Sequence, residues 1–226
     1  MAGKENLETS IGQLSALLTQ TLMTQEDERR SITHTLQEEI GQQLAAISVN
    51  LRVLQSRCEE VQSVSIIDKT RILVTDVLQH IERLERQLYP PALDSQGLIP
   101  ALEVFIQDFV RQSQIYVELD AEVLDSRLPA EIELTLFRIT QEVLEHTRHH
   151  GCASDVRVML RLIPSFIYLG IEDRGIHYTS EILAGAVFSR LKHRAGAVGG
   201  KCEVFSTPEH GARVEVVLPQ ESEGVR

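Results

Sequence analysis

The sequence predicts a helical hairpin followed by an α/β sandwich, and three observations carry that reading. From Asn6 to Gln55 there is no proline, and apolar residues recur every three or four positions. They run from Leu7, Ile11, Leu14, Leu18 and Leu22 to Ile32, Leu36, Ile40, Leu44, Ile47, Leu51 and Leu54, which is one stripe on a long helix. A second stripe, Val64, Ile67, Val74, Val77, Ile81, Leu84 and Leu88, stops at Pro90-Pro91, because proline cannot continue a helix. Beyond the prolines, short apolar runs with strand character alternate with short helical patterns and Gly/Pro turns, the layout of a mixed sheet with helices on one side.

Taken in order, the first stripe is interrupted by polar residues from Gln25 to Arg30, as expected of a segment that leads into a bundle. Two antiparallel helices with one apolar face each leave those faces partly bare. A second copy pairing into a dimeric four-helix bundle buries them; the alternative is a monomer covered by its own C-terminal half. After Pro91, LDSQGLIPALEVFIQDFVRQS predicts a turn and a short helix, then a strand over Ile115–Leu119. Leu128-Pro129 precede a helix from Glu131 to His149. Val156–Leu162 and Phe166–Ile171 read as adjacent strands joined at Ile163-Pro164-Ser165. A helix over Glu181–Arg194 follows. Gly199-Gly200 then opens strands at Lys201–Ser206 and Arg213–Leu218, with Thr207–Gly211 as their turn. The expected domains are 1–95, the hairpin, and 96–226, the sandwich.

The 226 residues carry 22 basic and 33 acidic side chains, a net charge of −11 spread along the chain, which disfavours nucleic acid as a partner. Cys58, Cys152 and Cys202 are isolated, without paired metal-ligand spacing, as in a reduced cytoplasmic chain. Neither a signal peptide nor an apolar run of about 18 residues is present, so no membrane partner is expected.

The run ERRSITHTLQEEIGQQL, Glu28 to Leu44, resembles the dimerisation helix of two-component sensor histidine kinases, in the subclass that partners NarL/LuxR-type response regulators. There, a pattern such as E-R-x-R-I-A-x-E-L-H-D-x-x-G-Q carries the phosphate-accepting histidine. Glu28, Arg29, Arg30, Ile32, Leu36, Gly41, Gln42 and Leu44 fall into register, but the acceptor position holds Gln37 and the next holds Glu38. An amide lacks the nucleophilic ring nitrogen that accepts a phosphoryl group. The C-terminal half resembles the ATP-binding domain of the same kinases, shared with gyrase and Hsp90-type ATPases. YPPALDSQGLIPAL is similar to the linker, LTLFRITQEVLEHTRHHG to the nucleotide-binding helix, IEDRG to the first glycine box and RAGAVGGKCEVFSTPEHGARVEVVLP to the closing segment. The resemblance covers about Glu28 to Pro219 in the family's order.

That resemblance implies roles for single residues. Glu142 matches an acid that orders a water or a magnesium-bound group. His146 stands where an asparagine helps hold magnesium, an ion that prefers hard oxygen donors to imidazole. His149 matches a position that often carries lysine, and His150 the histidine after it. Asp173 matches the acid that reads the adenine amino group, and Gly175 the glycine beside it. The second glycine box aligns with Val187-Phe188-Ser189-Arg190-Leu191, where both glycines are gone. A phosphate cradle needs glycine's bare backbone, although Arg190 can itself pair with a phosphate. The expectation is therefore a pseudokinase, with neither catalytic residue nor cofactor, and with ATP and magnesium doubtful. It would act as a homodimer, or as a heterodimer with an active histidine kinase, and would dock a NarL/LuxR-type regulator on Arg29 and Arg30. The alternatives are an active kinase or phosphotransferase using His34 or His80, and a phosphatase whose water is oriented by Gln37 or Gln42. Glu145, His146, His149 and His150 share enough of one helix face to suggest a metal site, against the expectation of none.

Overall fold

A computed structural model describes residues 2–58, 60–122, 126–150, 155–174, 185–207 and 211–220. The chain divides into two compact units, one spanning Met23–Pro91 and one grouping Ala92–Arg226 with Met1–Leu22.

The first stripe forms α1 (Ala2–Thr35), a π-helical turn (Leu36–Gly41) and α2 (Gln42–Arg57); the second forms α3 (Val61–Leu88). The polar stretch from Gln25 to Arg30 does not break α1; it stays helical, and Glu26 within it is buried. Helical backbone also continues through the π turn, with Thr35 at φ −61° and Gln42 at φ −64°. The hairpin reverses where Cys58 becomes extended, and Gln55 Nε2 donates to Asp68 Oδ1 across it at 2.9 Å. On α3 only part of the apolar stripe turns inward: Val74 and Ile81 are buried, whereas Val77 and Leu84 are exposed. Ile66 and Leu73, 65 % and 63 % exposed, join them in an outward row at seven- and four-residue steps. Ile40, Ile47 and Leu54 form a matching exposed row, also seven residues apart. This spacing is that of a coiled-coil seam.

The second unit contains α4 (Pro91–Gln96), α5 (Leu98–Ser113), β1 (Tyr116–Ala121), α6 (Ala130–His150), β2 (Asp155–Ile163), β3 (Phe166–Asp173), α7 (Ala186–Ala197), β4 (Lys201–Thr207) and β5 (Gly211–Pro219). The strands form a sheet in the order β1-β2-β3-β5-β4, parallel between β1 and β2 and antiparallel elsewhere. Alternate residues such as Val156, Val158, Leu160, Ile167, Leu169, Val214 and Val216 are buried, as in a sheet with one covered face. Helices α5, α6 and α7 supply that cover, with Leu102, Ile106, Leu136, Ile139, Phe188 and Leu191 buried.

One local outcome differs from expectation. The turn expected at Leu93–Gln96 is the helix α4. Arg127 holds it, donating to the carbonyls of Asp94 (2.7 Å) and Leu93 (2.5 Å) while pairing with Glu133 at 2.7 Å. Gly97 links α4 to α5 at φ 95°, a left-handed conformation that favours glycine. Helix α7 starts at Ala186; the expected start at Glu181 lies outside the described residues, as do residues 208–210 of the last turn.

Candidate functional site

Gln37 and Glu38 lie within the π turn, and both side chains are exposed. A π turn is a rare insertion in helical hydrogen bonding that concentrates at functional positions. His34 is exposed in the last turn of α1, and the Thr35 hydroxyl after it bonds back to the Ser31 carbonyl at 3.1 Å. No acid therefore follows His34 in sequence to orient its ring. Gln42, first residue of α2, is exposed four positions after Glu38. Above the turn, Arg29 pairs with Glu26 at 3.5 Å, and the Arg30 guanidinium lies 5.4 Å from the centre of the Tyr89 ring. That distance is within the range of a cation–π contact. His80 is exposed on α3.

In the sandwich unit, α6 and α7 meet along a charged and aromatic seam. The Glu142 carboxylate receives Arg190 Nε at 3.3 Å on one oxygen and Arg194 Nε at 3.0 Å on the other. The Arg194 side chain is 9 % exposed and that of Glu142 18 %, whereas Arg190 remains 47 % exposed. One turn further along α6, the buried His146 ring meets Phe188 edge-on, with centroids 5.3 Å apart and planes at 73°. Next to it, the Thr147 hydroxyl donates to Asp173 Oδ2 at 3.0 Å, and Asp173 is only 2 % exposed. Gly211, at φ 74°, lets β5 start against this carboxylate's backbone: a Cβ there would stand 2.0 Å from the Asp173 carbonyl oxygen.

The structure thus brings Glu142, His146, Asp173 and Arg190 into one region, and it joins Gln37 and Glu38 in another. Gly175 lies outside the described residues, as does the His150 side chain. The histidine cluster on α6 is divided: Glu145 pairs with Arg148 at 2.6 Å and lies 3.9 Å from His149, while His146 turns to Phe188. Among the described residues no group of three His, Cys, Asp or Glu side chains is arranged to hold a metal. Sequence reasoning missed Thr147, Phe188 and Arg194. The one signal for Arg194 was its i,i+4 spacing from Arg190, which puts both guanidinium groups on one helix face.

The donor set does not fit magnesium. That ion asks for hard oxygen ligands in an octahedral shell. Here both Glu142 oxygens already serve cations, and the neighbouring position offers an imidazole packed against a phenyl ring.

No family model matches the chain. It is 25 % identical over 205 residues to the signal transduction histidine-protein kinase/phosphatase DegS of Brevibacillus brevis, covering 88 % of this chain and 53 % of that protein. It is 27 % identical over 197 residues to the sensor histidine kinase LiaS of Bacillus subtilis, covering 85 % and 54 %. The sensor protein VraS of Staphylococcus aureus is 28 % identical over 203 residues, at 88 % and 57 %. The chain thus spans little more than half the length of these relatives. Among solved structures, the histidine kinase domain of the Erythrobacter litoralis blue-light activated histidine kinase shares the fold. The TM-score is 0.51 at 15 % identity, covering 79 % of this chain and 94 % of that one. The chain is thus similar in sequence to sensor histidine kinases, and its helical N-terminal region followed by a mixed α/β sheet domain has the fold of a histidine kinase domain.

Proposed function

We propose that the chain is a pseudokinase of two-component signalling that works through contacts rather than by phosphorylating itself. The observation that carries this reading is Gln37, an exposed amide at the acceptor position of an otherwise kinase-like hairpin. In this reading residues 1–95 dimerise and residues 96–226 form the ATPase-like partner domain, in the cytoplasm. The exposed rows at Ile40, Ile47 and Leu54 and at Ile66, Leu73, Val77 and Leu84 form the seam with a second copy, or with an active kinase. Arg29 and Arg30 present the charge that docks a NarL/LuxR-type response regulator. Incubation with γ-labelled ATP and magnesium tests the reading. The protein stays free of acid-labile label, and label on His34 or His80 overturns the assignment.

A phosphatase reading has its own support. Glu38 and Gln42 are both exposed and four residues apart, and one relative is named a kinase/phosphatase. Amide side chains at Gln37 or Gln42 are suited to orient a water for attack on an acyl phosphate. In this case the chain shortens the lifetime of a phosphorylated LuxR-type regulator, and Gln42→Ala or Gln37→Ala removes the effect. A time course identical to regulator alone leaves the docking function only.

A further inference from the structure

The seam between α6 and α7 bears on the other half of the kinase reaction, independently of Gln37. We propose that guanidinium groups occupy the place where this fold would hold a magnesium ion, so that the seam takes up neither the ion nor a magnesium-bound nucleoside triphosphate. The inference rests on the histidine-kinase-like reading of α6.

Three features converge along one stretch of α6, where it meets α7 and the end of β3. Both carboxylate oxygens of Glu142 are bonded to arginine Nε atoms, at 3.3 Å and 3.0 Å. An arriving dication therefore finds both oxygens of this carboxylate already engaged by cations rather than an open anionic ligand. Freeing Glu142 for a metal would also strip the nearly buried Arg194 of this carboxylate, and separating a buried ion pair is strongly unfavourable. The second feature is His146, whose ring packs on Phe188, itself 1 % exposed, so an apolar ring fills the space beside the would-be ligand. The third is Asp173, whose Oδ2 already accepts the Thr147 hydroxyl within α6's own packing. Arg190 and Arg194 lie one helical turn apart and reach the same carboxylate, so the closure is built from one face of α7.

The experiment restores the missing acceptor. Gln37→His is incubated with γ-labelled ATP and magnesium, and a fluorescent ATP analogue is titrated onto the unaltered protein with magnesium or with EDTA. The expected results are no acid-labile label on the variant, and an affinity that magnesium improves by less than about threefold, under 1 kcal/mol. Absence of analogue binding under both conditions gives the same support. Label on Gln37→His, or a larger magnesium-dependent gain, overturns the inference. Label on the variant with none on the unaltered protein overturns it while leaving the pseudokinase assignment intact. The titration requires no variant, so poor folding of Gln37→His does not blunt the test.

Discussion

Glu142→Gln removes the charge that two arginines share while preserving shape and one hydrogen-bond acceptor. The Arg194 side chain is 9 % exposed and Glu142 18 %. Breaking a buried ion pair by removing one partner costs about 3–5 kcal/mol. Residual exposure and the retained amide oxygen reduce that to about 2–3 kcal/mol for the Arg194 arm. The Arg190 arm, 47 % exposed, adds at most about 1 kcal/mol. In a domain of this size each kcal/mol moves Tm by about 3–5 °C, so a total loss of about 2–4 kcal/mol should lower the melting temperature by about 6–20 °C. Scanning calorimetry on the full chain reads this directly, with Arg190→Ala as the internal comparison and an expected loss of only about 1 kcal/mol. A fall below about 2 °C, or equal falls for the two variants, refutes the idea that Glu142 ties down Arg194. It would return Glu142 to the role of an available ligand.

Leu73→Glu or Ile66→Glu places a charge on the exposed row of α3; because these sites are more than 60 % exposed, the isolated hairpin should lose under about 0.5 kcal/mol. Solution mass by light scattering should nevertheless fall from two chains to one, and an unchanged mass removes this row from the proposed seam. Burial, with Glu82 beside it, pushes the Glu85 carboxyl above its ordinary 4.5 against the pull of Arg86. The folded hairpin then binds the proton more tightly than the unfolded chain, so this stabilisation is full below 4.5 and is lost as pH rises through the folded value. Glu85→Gln should therefore melt higher than the parent at neutral pH, with the gap closing on acidification; a gap that widens in acid contradicts the sign. Burial pushes the Cys202 thiol up to about 12. At pH 8 that leaves about one thiolate in ten thousand, so iodoacetamide should reach half-buried Cys58 long before Cys202, as read by peptide mass spectrometry. Rapid native labelling of Cys202 would show that β4 opens.

Much of the architecture was legible because it follows from periodicity. The three-and-four spacing from Ile32 to Leu54 yields a helix under almost any packing, and the alternation in Val156–Leu160 yields a strand with one face covered. Helix α4 was not legible, since Asp94, Ser95, Gln96 and Gly97 have turn composition. Its carbonyls are held by Arg127, more than thirty residues away in sequence. The π turn around Gln37 was equally hidden, because one added residue in a helical ladder leaves no trace in composition.

Residue chemistry is local, and here the sequence by itself decided it: an amide at Gln37 lacks a phosphate-accepting nitrogen whatever surrounds it, and the pattern around it already marked the kinase-like hairpin. Availability is not local. Glu142 read as a free acid and Arg190 as a phosphate-binding cation until α6 and α7 were packed together. Only tertiary structure, by bringing residues 48 and 52 positions apart within hydrogen-bonding distance, showed one neutralising the other. Similarly, both apolar rows of the hairpin were visible as stripes. Which of their members face inward, and which remain outside for a partner, depends on how α2 and α3 pack, and spacing along one helix does not contain that angle.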